Sequence, residues 1–499
     1  MTQSGHDHRR ILDKASGRQV GHLRRMIAVF LLPAILIVGG ATKASSEPEG
    51  TEAWLAGDHH VHSRFSVIWD RRTNPPAPIF DVHAAYSIPQ NAHMAKRFGL
   101  AWMVTTDHGG RHHAKLNLDQ AYPNFLAARK AVPELVQFFG VELNSPGADH
   151  SSIIIPHTHD EAQRVYELES HFDKVGADPT DSGSNTTERM IEALVEMREF
   201  AVKPVVIANH PSRRAKEGEK YGLTTPSALR SWNNAAPEVA VGMAGAPGRQ
   251  ASSINPDGSI KPDAARGRYS GQPTRGGFDL MTAELGGFWD SMLGEGRRWW
   301  VTANSDSHKH WSDGGSDFWP GEYSKTYVYA DMSHGGVLAA LRAGRIFVTT
   351  GDLVSELYVT ATSTTGATAQ IGDSLHLRSG DDVLVTIWAT DPASENSHGD
   401  LPAVRRIDLI VGDVTGLLES ANEDTNPSAR VARRFSQNDW TRQGELLTMT
   451  YRFEDVDRSF YLRVRGTNTE QLEPDPDPLG EDPWTDLWFY SNPIFAEVE

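Results

Sequence analysis

Ala53-Trp54-Leu55-Ala56-Gly57-Asp58-His59-His60-Val61-His62-Ser63 is the stretch on which the reading of this chain turns. A short apolar run leads into an H-x-H pair, His60 and His62, and in a β-strand residues i and i+2 point to the same face. Two imidazoles so placed converge on one point and can hold one metal ion. Histidines two apart also occur in solvated loops, so the pair acquires meaning only if other strand ends deliver further ligands.

Working outward, the same arrangement recurs. Trp102-Met103-Val104-Thr105-Thr106 runs straight into Asp107-His108, and Val136-Gln137-Phe138-Phe139-Gly140-Val141 ends at Glu142. His150 opens the next apolar run, Val205-Val206-Ile207-Ala208-Asn209 ends at His210, and Trp299-Trp300-Val301-Thr302-Ala303-Asn304 leads to Ser305-Asp306-Ser307-His308. Strands are predicted at 53–57, 101–106, 135–141, 151–155, 204–208, 239–243 and 299–303. Helices are predicted at 89–98, 122–131, 187–201 and 283–293. This alternation is the pattern of a parallel α/β sheet or barrel, and seven strands suggest the barrel. In such a barrel the C-terminal strand ends gather at one face, so ligands far apart in sequence meet there. Ionisable side chains at apolar strand ends need partners or metals.

Composition narrows the chemistry. The chain has 499 residues, 39% hydrophobic and 23% charged, enough for a large barrel and a smaller domain. A formal charge of −17 argues against nucleic acid or an anionic membrane as main partner, although a local basic pocket could still bind phosphate. Cysteine is absent, which excludes disulfides and thiolate ligands and leaves any metal among His, Asp and Glu. That donor set suits Zn, Mn or Fe.

At the N-terminus, Arg18, Arg24 and Arg25 precede the apolar run Met26 to Val38, followed by small residues through Thr42-Lys43-Ala44. Residues 1–44 are read as a cleaved export signal, giving a periplasmic or extracellular protein; the run is short for a membrane span, so an uncleaved anchor is the alternative. Arg9-Arg10 leaves a twin-arginine route open beside the general secretory one. Residues 244–278, rich in Gly, Pro, Ser and Arg, read as an insertion at the rim of the strand ends, either a surface excursion or a lid.

In its ordered motifs the chain resembles the PHP family, the polymerase and histidinol phosphatase superfamily of metal-dependent phosphoesterases, over about residues 54 to 350. The family's H-x-H, T-D-H, Glu after a strand, later His, H-P and D-x-H correspond to His60/His62, Thr106-Asp107-His108, Glu142, His150, His210-Pro211 and Asp306/His308. The resemblance implies a distorted (β/α)7 barrel, here spanning 52–351, that holds two or three divalent ions. By analogy His60, His62, Glu142 and Asp306 hold one ion, Glu142 bridges to a second held by His150 and His210, and His108 and His308 contribute to a third. The family often adds an Asp or His soon after H-x-H, and Asp70 is the nearest fit, at an atypical spacing. An ordinary amidohydrolase barrel also opens with H-x-H but lacks the T-D-H and D-x-H arrangement. Ser305-Asp306-Ser307-His308 followed by Ala340 to Gly351 looks like the exported carbaryl-hydrolase-like branch, whose barrel is followed by a β-rich domain. Strand-like segments at 357–361, 383–389, 407–411, 446–453 and 460–465 agree, and predict a β-sandwich over 352–499. Its Trp388, Trp440, Trp484 and Trp488 are read as core aromatics in preference to a sugar-binding face.

Two close divalent ions acidify water and polarise P=O or C=O, so no serine nucleophile is required. Asp306 and Glu142 are the expected catalytic carboxylates, with Asp306 both binding metal and accepting a proton. Asp107 is expected to orient His108. Arg213, Arg214 and Lys309, each close to a ligand, are candidate oxyanion clamps for a small phosphoester; His112, His113, His157, His159 and His310 are read as rim residues. Three functions stay open: an exported phosphoesterase, a carboxylic or carbamate ester hydrolase on the same site, and a surface-binding protein whose barrel only stores metal.

Overall fold

The computed structural model describes residues 52–176 and 183–499; the predicted export signal lies outside the described residues. The molecule is mixed α/β, with more strands than helices and one large mixed sheet. Its site-bearing strands are β1 (Ala53–Val61), β2 (Trp102–Thr105), β3 (Val136–Asn144), β4 (His150–Ile154), β5 (Val205–Asn209), β6 (Ala240–Ala246), β7 (Trp300–Ala303), β8 (Ser324–Ala330) and β9 (Ile346–Thr350). All seven strands predicted for the barrel region are present, and they lie side by side in chain order, with β8 and β9 added beyond β1. Their near-continuous burial explains their apolar sequences, because a sheet covered on both faces has no polar side to display.

Among the seven predicted strands, the sheet departs from the expected parallel order at one; β8 also runs antiparallel, to both β1 and β9. β1, β2 and β3 run parallel, β4 runs antiparallel to both β3 and β5, and β5, β6 and β7 run parallel again. An apolar run carries no signal of its direction, so this reversal was not legible. It matters for the site. His150 stands at the start of β4, where it pairs with Asn144 and Asn209, so the reversal brings a strand's first residue to the rim where its neighbours end.

Beyond β9 the expected β-rich region is present, and each of its five predicted strand segments forms. Their strands divide between two sheets. Thr368–Gln370, Glu356–Ser363, Asp381–Thr390, Leu446–Val456 and Thr441–Gln443 form a sheet of their own. Others, through Trp488–Ser491 on β9, extend the large sheet, so the two regions share one hydrogen-bonded ladder. Trp484 and Trp488 are buried, whereas Trp388 and Trp440 are half-buried. Three predicted helices form at Ile88–Arg97, Tyr122–Ala131 and Thr187–Arg198; the fourth is two short pieces, Leu280–Ala283 and Phe288–Gly294, broken at Gly286, whose φ of 75° belongs to the left-handed region. Among the described residues no helix is long and apolar enough to cross a membrane.

Candidate metal centre

Local backbone irregularity aims the opening histidines. The β1–β2 register shifts between Asp58 and Val61, a bulge that sets the His59 and His60 rings nearly parallel although adjacent strand residues ordinarily face apart. His59 is then tied off inside the sheet, with Nε2 2.8 Å from Thr302 Oγ1. Burial drives its pKa down to about 3, so it is a neutral packing residue. His60 and His62 face the rim, their Nε2 atoms 2.9 Å apart.

Every histidine, glutamate and aspartate read as a strand-end ligand, His60, His62, His108, Glu142, His150, His210, Asp306 and His308, arrives at this rim. Glu142 stands between two groups: Oε1 lies 3.0 Å from His60 Nε2, 3.0 Å from His150 Nδ1 and 3.4 Å from His210 Nε2, and Oε2 lies 3.4 Å from His62 Nε2. Asp306 Oδ1 is 3.4 Å from His60 and 3.3 Å from His62, and its Oδ2 accepts a 2.7 Å hydrogen bond from Arg213. Three sets of ligand atoms each close to within 4.8 Å: His60, His62 and Glu142; Glu142, His150 and His210; His62, His108 and His308. His210 and Asp306 both adopt left-handed backbone conformations, φ 30° and 47°, as side chains do where a site over-determines the chain.

The charge states divide the site. Burial would raise the Glu142 carboxyl, but His150 and His60 outweigh it and hold it well below the usual carboxylate range. Burial would equally raise Asp306, and His60, Arg249 and Arg213 override it. Against burial, Glu142 raises the pKa of both His60 and His150. Burial instead holds His108 and His308 well below the ordinary imidazole value, and it pushes His83 down to about 4 with the help of His62 and Arg249.

Neutral imidazoles crowded nitrogen to nitrogen are what a metal ligand set requires, since each donates a lone pair. His83 Nε2 is 3.0 Å from His108 Nε2. The Ser66 hydroxyl donates to Asp107, an acceptor-only carboxylate, at 2.7 Å, and therefore accepts from His62 Nδ1 at 2.9 Å. That chain fixes the His62 tautomer and leaves Nε2 free to bind an ion. Buried His, Glu and Asp groups are thus placed to hold metal ions, and their chemistry fits the task.

Four sequence readings need correction or completion. Asp70 is not at the rim: its carboxylate is gripped by Arg72 at 2.8 and 2.7 Å, and the residue that joins His108 and His308 is His83. His83 lies four residues beyond the three-residue strand Ala77–Ile79, outside the large sheet whose strand ends carry the other ligands. Asp107 does not orient the His108 ring; its carboxylate receives Ser63 N–H at 2.5 Å, Ser63 Oγ at 2.6 Å and Ser66, and acts on His62 through Ser66. Lys309 is not among the residues lining the cavity at the rim, whereas Arg213 and Arg214 are. Asp149, buried beside His150, lies 3.2 Å from His210 Nδ1 and was also missed.

The 244–278 insertion reaches the site. Arg249 N–H donates to the Ser305 carbonyl, and Arg249 Nε lies 3.3 Å from Asp306. This close approach needs Gly248, where an added Cβ would sit 2.2 Å from both Asp306 Cβ and the Ser305 carbonyl oxygen. Insertion and ligand strands together line a cavity of about 770 Å³.

No protein-family model matches the chain, and no curated protein matches it.

Proposed function

We propose that the chain is an exported, metal-dependent hydrolase of the PHP type, most simply a phosphoesterase, built on a distorted seven-stranded barrel and using two to three divalent ions of the Zn, Mn or Fe class. The observation that carries this reading is the convergence of ligands from β1, β2, β3, β4, β5, β7 and their connections on one cavity, around a single carboxylate that reaches two groups at once. Bound there, paired divalent ions supply a nucleophile from water at neutral pH and Lewis acidity toward the ester.

The protein's own residues do the rest. Glu142 sets the spacing between the two groups, and Ser66 with Asp107 keeps His62 in its ligating tautomer. Asp306 is better suited to binding than to proton transfer, because Arg213 and Arg249 hold its carboxylate ionised. The five cationic side chains of the cavity, Arg213, Arg214, Lys216, Arg249 and Arg268, favour an anionic phosphoester over the neutral carbamate or carboxylic ester of the second reading.

The test is elemental analysis of the purified protein with a panel of p-nitrophenyl phosphate, its diester, p-nitrophenyl acetate and naphthyl methylcarbamate. Two to three metal equivalents and chelator-sensitive phosphate release are expected. Fewer than one metal per chain, or equal rates for wild type and His60→Ala, would overturn the proposal.

A further inference from the structure

The cavity's cations are not equivalent. Arg213 and Arg249 are committed to Asp306, and Arg214 lies 3.6 Å from Asp149. Among the described residues, Arg268 and the Lys216 side chain have no carboxylate within ion-pair distance. Burial, then the like charges of Arg249 and Arg213, pull the Arg268 pKa down, and the more distant Asp317 and Asp306 only partly offset them. This occurs on a chain with net charge −17, where carboxylates to neutralise a stray guanidinium are plentiful.

The backbone repeats the message. Arg249 and Arg268 both stand in left-handed conformations, φ 62° and 60°, inside an insertion that has glycine available at neighbouring positions. A side-chain-bearing residue there costs on the order of 1 kcal/mol, and such strain persists where the side chain is needed. Tyr269, next to Arg268, locks the segment to the ligand loop: its hydroxyl and the Ser212 N–H both bond Asp279, at 2.7 and 2.9 Å.

From these observations we infer that Arg268 and Lys216, exposed where they line the cavity, form a second anion subsite there, so that the preferred substrate is a phosphoester bearing a second acid group, carboxylate or phosphate, on its leaving group. The inference rests on the hydrolase reading only for the identity of the scissile group. The paired charge of the inner arginines serves that group, and the charge of Arg268 and Lys216 serves the other. Arg268 is a specificity determinant in this arrangement, contributed by the insertion.

The experiment compares 3-phosphoglycerate with glycerol 3-phosphate, which differ by one carboxylate, using the full-length, metal-loaded protein. The diacid should have the higher kcat/KM by roughly 10- to 100-fold, the worth of one charged hydrogen-bonded contact. Arg268→Ala should collapse that ratio and Arg268→Lys should restore part of it, with Lys216→Ala acting in the same direction. Calorimetric binding of both compounds is measured in parallel. If neither is hydrolysed but the diacid binds more tightly and Arg268→Ala removes the preference, the phosphoesterase reading fails and the subsite stands. Equal affinity and equal kcat/KM for the two compounds, or a ratio indifferent to Arg268, would overturn the subsite.

Discussion

Among the described residues, two places gather three acidic or imidazole ligand atoms in a small volume, and one of them has the donor chemistry to hold metal ions. At the sheet rim Glu142 and Asp306 stand among imidazoles, of which His83, His108 and His308 are held neutral by burial. At Asp477, Glu481 and Asp486 the group is equally compact, yet it already holds its cation. Arg266, fully buried, lies 3.6 Å from Asp477 and 3.4 Å from Glu481, and Asp477 also accepts from Thr274 Oγ1 at 2.6 Å, Gly276 N–H at 2.5 Å and Gly277 N–H at 3.0 Å. Proximity of ligand atoms therefore does not distinguish binding from bracing; the donor chemistry does, since the rim offers imidazole nitrogens and the acidic group offers carboxylates alone, already set on a buried guanidinium. The acidic group is a clasp between the C-terminal segment and the insertion that supplies Arg249 and Arg268.

Paired substitutions test the contrast. Glu142→Ala, which removes the shared carboxylate, should lower bound metal to below one equivalent and activity by about 10³-fold or more, because both ligand groups lose a member. Asp477→Ala should leave metal content unchanged while costing about 3–5 kcal/mol in a denaturant titration, since it removes one of the two carboxylates at the buried Arg266 and the acceptor of Thr274, Gly276 and Gly277. If Asp477→Ala also stripped the metal, the distinction between the two clusters would be lost. Asp107→Ala should weaken metal affinity by roughly 10- to 100-fold by freeing Ser66 and with it the His62 tautomer. Competition with a chromogenic chelator measures this. His83→Ala should remove one ion of a full set and leave the Glu142 pair loaded, read as metal equivalents per chain.

The smallest effect concerns pH. Burial, opposed by Arg266 and reinforced by Asp477 and Asp486, pushes the Glu481 carboxyl up to about 7. A carboxyl whose pKa is raised in the fold stabilises it while protonated, and that contribution is lost as pH rises from the unfolded value through the folded one. The thermal midpoint should therefore decline between pH 4.5 and 7, and Glu481→Gln should flatten the decline. A decline unchanged in that variant would assign it to other groups.

What was legible in the sequence had a local signature. Strands showed as apolar runs, and ligands showed where a polar residue interrupted such a run's end. The alternating burial of Glu356–Ser363 and Asp381–Thr390 was likewise written in their residues. Features decided at long range were not legible. The direction of β4 depends on its neighbours, Asp70 pairs with Arg72 and is not among the residues lining the cavity, and His83 and Arg249 reach the rim from irregular segments. The division of the C-terminal strands between two sheets is likewise a matter of pairing, and each strand would look the same in either sheet.

The reversed β4 strand has a consequence for the order in which the site comes together. Because β3 and β4 are joined as a hairpin, Glu142 and His150 lie only 8 residues apart and their contact closes a short loop. Asp58, by contrast, meets Ser305 across 247 residues. Short loops close early and long ones late in folding. A nascent chain is thus expected to own the Glu142–His150 half of its centre long before His60 and Asp306 arrive, which makes metal loading a late step. Ion added during refolding should then leave the rate of hairpin protection in hydrogen exchange unchanged, while slowing only the release of the finished fold.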